Sequence, residues 1–106
     1  ARELTKKVYK LTRKPAFSKN FGLKNQIHDA AGSSMHNIAE GFDAGTNPEF
    51  IRFLKISRRS ASEVQSELYL ALDRNYINQD ELTVAYNIAT EVKRLVNGMI
   101  GYLRKS

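Results

Sequence analysis

Two histidines and two carboxylates lie close together in the chain and are the residues that could bind a metal ion or exchange protons. Asp29, His36 and Glu40 share one helical face at spacings of seven and four residues, and His28 precedes Asp29. A metal centre inside a helical bundle needs further Glu and His ligands from facing helices, and the chain contains no His after His36. The pattern therefore predicts a surface His–carboxylate pair, with no metal site and no cofactor.

Other signatures of catalysis are missing from the sequence. It contains no Cys, no glycine-rich phosphate loop and no nucleophile elbow. A metal or small-molecule enzyme would require a polar pocket inside the fold. We therefore expect a protein that is not an enzyme.

Basic residues are concentrated in the first quarter of the chain. Residues 1–24 contain eight Lys or Arg and a single acidic residue, Glu3, within a whole-chain balance of 17 basic and 11 acidic residues. The resulting net charge of +6 favours an anionic partner. Two clusters are candidates for phosphate contacts, one before residue 15 and one after residue 51, and their proposed nucleic-acid-binding residues are Lys6, Lys10, Arg13, Arg52, Lys55 and Arg59.

These clusters predict binding to the nucleic-acid backbone rather than to base edges. Phosphate contacts from Lys and Arg give salt-sensitive affinity that tolerates many sequences, and Tyr9 could add a stacking surface. No RNA-recognition aromatic signature, zinc finger or helix-turn-helix spacing is present. Two alternatives remain open: each cluster could be an ordinary solvated helix face, and Arg59 could pair with Glu63 four residues later.

Four stretches of helical periodicity carry these residues. They cover residues 2–14, 21–42, 48–74 and 79–103, and their limits are marked by Pro15, Pro48 and clusters of Gly and Asn. The third stretch keeps an alternating four-and-three spacing of apolar or small residues, which is typical of a helix that packs along its whole length. The sequence predicts one all-α domain over residues 1–106, an antiparallel up-down-up-down four-helix bundle.

Capping residues mark the ends of the two later helices. Asn47 is expected to cap the third helix with Pro48 at its first position, and Asn75 suits a left-handed residue after its end. Asn78 and Glu81 have the spacing of a capping box for the last helix.

The two later helices carry more apolar side chains than one bundle interior requires. A domain of this size buries only about two-thirds of its unfolded surface, so self-association is a way to bury more. On the third helix, the residues outside the packing seam are predicted to form an oligomer interface, with scattered surface hydrophobes as the alternative: Ile51, Ile56, Tyr69 and Leu70. No apolar run approaches the roughly 20 residues of a membrane span, no signal peptide opens the chain, and we expect a cytoplasmic protein.

Two sequence segments resemble a known family. The segment 34–42, Ser-Met-His-Asn-Ile-Ala-Glu-Gly-Phe, and the later Phe-Ile-Arg-Phe-Leu at 50–54 are similar to the four-helix bundle family called 23S ribosomal RNA intervening-sequence proteins. The resemblance extends over essentially the whole chain. It implies a left-handed antiparallel bundle that assembles into a ring, usually a homopentamer, with no catalytic activity.

The family motif itself is interpreted as structural, and its four residues are Asn37, Ala39, Glu40 and Gly41. Asn37 and Glu40 are expected to be half-buried and hydrogen-bonded, and Gly41 is expected to let the chain leave the helix.

The functional hypothesis is a ring-like homo-oligomer that binds RNA or DNA. Some members of the resembled family are encoded within insertions in ribosomal RNA genes, and a distant relative is an accessory subunit of retroelement reverse transcriptases. The alternative is a protein-interaction scaffold that docks on a polymerase or another acidic partner, in which the positive charge serves for steering.

Overall fold

Helices account for nearly all of the chain. The computed structural model describes residues 1–106, with α1 at Arg2–Thr12, α2 at Pro15–Ser18, α3 at Phe21–Phe42, α4 at Asn47–Asp73 and α5 at Gln79–Lys105. There are no strands, so the predicted all-α bundle is confirmed. The bundle measures 47 × 22 × 17 Å, and no helix in it has the length and apolar character needed to cross a membrane.

The four long helices run antiparallel to their neighbours in sequence. Thr12 of α1 contacts His28 of α3, and Thr5 near the opposite end of α1 contacts Met35. The contacts of α3 with α4, Ser57 to Ser34 and Ser60 to Ser33, run in opposite directions along the two helices. The contacts of α4 with α5, Gln65 to Thr90 and Arg58 to Asn97, do the same. Because α1 and α4 each pack between α3 and α5, they lie diagonally across the bundle.

The core follows the seams that the apolar spacing predicts. On α4 the buried seam is Leu54, Ser57, Ala61, Val64, Leu68 and Ala71. On α5 the seam residues from Leu82 to Val96 are buried. Beyond Val96 the buried residue is Ile100, and Met99 and Leu103 are only partly buried. Small residues on both helices let the backbones approach closely, and this packing fixes which side chains remain outside.

Most of the predicted helix ends are confirmed. Asn20 caps α3 by accepting a hydrogen bond from the Leu23 amide at 3.1 Å. Asn78 and Glu81 form a complete capping box, and Asn75 adopts a left-handed conformation with φ 61°.

The cap of α4 is the exception. Thr46, rather than Asn47, accepts from the Glu49 amide at 3.2 Å, and Asn47 is already the first helical residue. Pro48 therefore occupies the second position of the helix.

The assignment of Thr46 as the cap predicts unequal effects of two neighbouring substitutions. Thr46→Ala should lower the free energy of unfolding by about 1 kcal/mol, because it removes the acceptor for an amide that has no helical partner. Asn47→Ala should change it by less than about 0.5 kcal/mol, since the Asn47 side chain makes only a long, 3.4 Å bond to the Leu103 carbonyl. Urea titration of the two variants measures the difference, and equal losses would contradict the assignment.

Candidate nucleic-acid interface

The outer side of α1 presents the first basic cluster to solvent. Leu4, Val8 and Leu11 are buried in the core, and the 3.6-residue repeat of the helix therefore turns the side opposite them outwards. Lys6, Lys10 and Arg13, the three predicted binding residues of this helix, are all exposed, and none forms an ion pair. Their charges remain available to an anionic partner.

A groove of about 520 Å³ runs along one flank of this face. The residues that line it are Arg2, Thr5, Lys6, Tyr9, Arg13 and Met35. The Tyr9 side chain is 47% exposed, and its ring centroid lies 4.2 Å from that of His28. One side of Tyr9 thus packs on α3 while the rest is open to solvent beside three cations.

On the other flank of α1, carboxylates of α5 offset part of the positive charge, since Lys7, Lys10 and Lys14 line a groove with Asp80 and Glu81. Lys14 forms an ion pair with Glu81 at 2.6 Å. The hydrogen bond from Lys14, together with the backbone hydrogen bond from Asn78, lowers the pKa of Glu81. Lys14 therefore links the connection between α1 and α2 to the start of α5, and this flank carries less uncompensated positive charge than the Tyr9 flank, which no carboxylate lines.

The second cluster lies on the outer side of α4, and one of its members is paired. Arg52 donates to Glu49 at 2.8 Å, and this hydrogen bond lowers the pKa of the Glu49 carboxyl. Lys55 and Arg59 are exposed and make no ion pair. The suggested pair of Arg59 with Glu63 does not form, and Arg59 remains unneutralised.

The two clusters do not form one surface. Because α1 and α4 lie diagonally across the bundle, the outer face of α1 and the outer face of α4 look in opposite directions. A single duplex lying on one protomer could contact only one of them. Each cluster must therefore be considered a separate interface.

Arg58, Lys93 and Asn97 extend the second cluster across to α5. Arg58 donates to Asn97 at 2.7 Å, and Lys93 donates to Gln65 at 2.7 Å. Lys93 and Asn97 were not among the residues predicted from the sequence, because they lie more than 30 residues after Arg58. Their four-residue spacing on a helix antiparallel to α4 was the signal that could have placed them there.

Of the four motif residues, only Ala39 lies fully at the surface. Asn37 is half-buried and donates to the Ser33 carbonyl at 2.8 Å. Gly41 is buried inside α3 with a negative φ, and a Cβ there would lie 2.7 Å from the Phe50 ring. The prediction that Gly41 lets the chain leave the helix is therefore wrong: its small size admits Phe50, and α3 continues through Phe42.

The histidines occupy two unrelated positions. His36 approaches Glu40 at 3.5 Å on the surface, as the four-residue spacing predicts. His28 instead bonds to the Thr12 hydroxyl at 2.6 Å, and burial together with the nearby Lys24 lowers its pKa. No group of three or more His, Cys, Asp or Glu side chains is arranged to bind a metal ion.

The four apolar residues predicted to form an oligomer interface are spread around α4. Ile51 and Ile56 are half-buried, whereas Tyr69 and Leu70 are 49% and 44% exposed. Ile51 and Tyr69 share one side of the helix but lie about 27 Å apart along its axis, and the Tyr69 ring contacts Tyr86 of α5. The assembly itself stays a prediction.

A different set of apolar side chains surrounds a groove of about 440 Å³ between the α3–α4 turn and the end of α5. Its most exposed members are Phe42, Leu95 and Tyr102, at 65%, 62% and 74%. Phe50 and Met99 form its floor and are partly buried against the core. Six of the eight residues that line this groove are hydrophobic.

Comparison with known proteins confirms the resemblance. The model of the 23S rRNA-intervening sequence protein family matches residues 1–98. The fold is similar to the crystal structure of a protein of unknown function from the S23 ribosomal protein family of Bacteroides thetaiotaomicron, with a TM-score of 0.84 and 27% sequence identity over 92% of each chain. No functionally curated protein matches the sequence.

Proposed function

We propose that this chain, which belongs to the 23S rRNA-intervening sequence protein family, is a non-enzymatic homo-oligomer that binds RNA or DNA through its basic helix faces. The observation that carries the proposal is the outer face of α1, where Lys6, Lys10 and Arg13 are exposed without a carboxylate partner. None of the three is held in an ion pair, so each can contact a phosphate without first breaking one.

Assembly would multiply the effect of each small cluster. A protomer offers only a few phosphate contacts per face, but repetition of that face around an oligomer lets one strand engage several copies at once. The exposed Phe42, Leu95 and Tyr102 around the apolar groove support contact with a second copy. The subunit number expected from the family resemblance is five.

Charge substitutions on separate faces test the proposal. One variant replaces Lys6, Lys10 and Arg13 with Gln, and a second replaces Arg52, Lys55 and Arg59. Fluorescence anisotropy with a labelled RNA should show at least tenfold weaker binding for the α1 variant at low salt. The slope of log affinity against log salt should fall by about 1 for each phosphate that the variant no longer neutralises.

A matched control keeps the net charge equal. Gln at Lys19, Arg74 and Lys105 also removes three exposed cations but leaves both clusters intact. Light scattering on each protein reports whether the oligomer persists. Binding by both cluster variants that equals that of the control, or a monomeric parent protein, would overturn the corresponding part of the proposal.

The apolar groove also favours a second candidate function. A scaffold that docks on a polymerase or another acidic protein would use Phe42, Leu95 and Tyr102 as anchors and the basic clusters for steering. A partner that remains bound after nuclease treatment, and that is released when Tyr102 and Leu95 are replaced by Ser, would favour this function over nucleic-acid binding.

A further inference from the structure

We propose that the groove between α4 and α5 is a phosphate-binding site for the backbone of a single nucleic-acid strand. This assignment rests on the proposed function, and it adds a specific site to it. The groove has a volume of about 420 Å³. Its lining residues are Lys55, Arg58, Arg59, Ser62, Lys93 and Asn97.

Helix geometry brings these six residues together. The four on α4 follow the spacing i, i+3, i+4 and i+7, so they form one stripe along about 10 Å of the helix. The two on α5 are four residues apart and lie one above the other on the side that faces α4. Four cations therefore converge on one concave surface from two rigid elements.

Neutral partners hold two of these cations in place. Arg58 donates to the Asn97 side-chain oxygen at 2.7 Å, and Lys93 donates to Ser62 at 3.2 Å and to Gln65 at 2.7 Å. These hydrogen bonds position the charged groups without cancelling their charge, and Arg58 keeps further N–H donors free for a ligand.

Gln65 is itself fixed in one orientation. Its side chain is buried, and its amide nitrogen donates to the Tyr86 carbonyl at 3.2 Å and to the Thr90 hydroxyl at 2.9 Å. The amide oxygen is consequently the atom turned towards Lys93. A buried residue thus orients a cation at the groove, which a solvated helix face does not require.

Two cations that flank the groove on the same helices have carboxylate partners, whereas Arg104 and Lys105 at the end of α5 have none. Arg52 pairs with Glu49 at 2.8 Å, and Arg94 pairs with Glu91 at 3.7 Å. No carboxylate lines the groove. Four like charges without compensation repel one another, and an oxyanion bound between them removes that repulsion.

The chemistry of the lining indicates phosphate rather than a base or an apolar ligand. A guanidinium group donates a bidentate pair of hydrogen bonds to two phosphate oxygens, and ammonium and hydroxyl groups donate to the remaining oxygens. No lining residue is hydrophobic, so no aromatic ring is available for a base to stack on. The groove would therefore recognise the backbone and tolerate any sequence.

Substitutions in the groove test the assignment with two phosphate sources. The groove variant is Arg58→Gln with Lys93→Gln, and the control is Lys19→Gln with Arg74→Gln, which removes the same charge from exposed positions. The probes are a labelled single-stranded oligouridylate, followed by anisotropy over a salt series, and inorganic pyrophosphate, followed by the side-chain amide NMR signal of Asn97. Circular dichroism confirms that each variant is folded.

The expected result at 0.1 M salt is RNA binding roughly five- to tenfold weaker for each phosphate that the groove variant no longer neutralises, as the counterion-release slope implies. The pyrophosphate-dependent shift of Asn97 should disappear as well. Because Lys93 also bonds to a buried residue, Lys55→Gln with Arg59→Gln provides a second groove variant at exposed positions whose side chains make no hydrogen bond.

The outcomes separate the groove from the proposed function. Loss of pyrophosphate binding in the groove variants, with no RNA binding by the parent, supports a phosphate site in the groove but overturns both its assignment to a nucleic-acid strand and nucleic-acid binding as the function. Groove variants that match the control with both probes overturn the site, and RNA binding that then depends on Lys6, Lys10 and Arg13 leaves the proposed function standing.

Discussion

Phe17→Ala is expected to lower the free energy of unfolding by about 3–5 kcal/mol, the range for removing a fully buried aromatic side chain. Phe17 has no exposed surface although it belongs to the four-residue helix α2. Its ring stacks on Tyr76 with centroids 5.4 Å apart, and the Tyr76 hydroxyl accepts from Asn20 at 3.1 Å. The short helix therefore anchors the α1–α3 connection to the α4–α5 turn.

Phe21→Ala is the matched control for this substitution. Phe21 lies four residues later and is 68% exposed, with Lys24 above its ring, so truncation removes little buried surface. Urea unfolding of the two variants gives the comparison. If the two variants lost similar amounts of unfolding free energy, burial of the Phe17 ring against Tyr76 would not stabilise the fold more than an ordinary surface residue does.

The long helices could be predicted from the sequence because their burial is periodic. On α4 the spacing from Leu54 to Ala71 repeats over five turns, and no strand pattern reproduces it. Asn78 and Glu81 likewise form a local signal, since both partners of the capping box lie within four residues. Helical periodicity and capping boxes each lie within one segment of the sequence, so they can be read without knowing how the helices pack together.

Features that depend on contacts between segments could not be predicted in this way. Helix α2 is too short for a periodic pattern, and the burial of Phe17 depends on Tyr76, which lies 59 residues later. The α4–α5 groove depends on the register that sets Arg58 against Asn97. Gly41 similarly acquires its role from Phe50, on the next helix.

Glu67 is a further residue whose environment the sequence does not reveal. The apolar pattern places it beside the α4 seam, but its carboxyl oxygen Oε1 is buried without a hydrogen-bond partner. Burial, with additional repulsion from Glu63 and Asp29, raises the pKa of Glu67 to about 7. The folded protein therefore keeps the Glu67 carboxyl largely protonated at mildly acidic pH, and the carboxyl ionises near neutral pH.

Glu67→Gln is accordingly expected to stabilise the protein at high pH and to leave it almost unchanged in acid. Between an ordinary pKa of 4.5 and the folded value of about 7, the native state holds a proton that the unfolded chain has released. Stability therefore falls as the pH rises through this interval and levels off above it. The pKa difference corresponds to a loss of about 3 kcal/mol in the free energy of unfolding. Because the carboxyl is partly exposed, solvent screening reduces the expected loss to about 2 kcal/mol.

Denaturant titrations of the parent and of Glu67→Gln at pH 4, 6 and 8 measure this difference. Glu91→Gln is the control, because Glu91 is exposed and only weakly paired with Arg94, so its effect should not grow between pH 6 and pH 8. Glu63→Gln removes part of the repulsion on Glu67 and should give a smaller stabilisation with the same pH dependence. A constant difference between parent and Glu67→Gln across the three pH values would mean that Glu67 ionises normally and that its buried oxygen is reached by water.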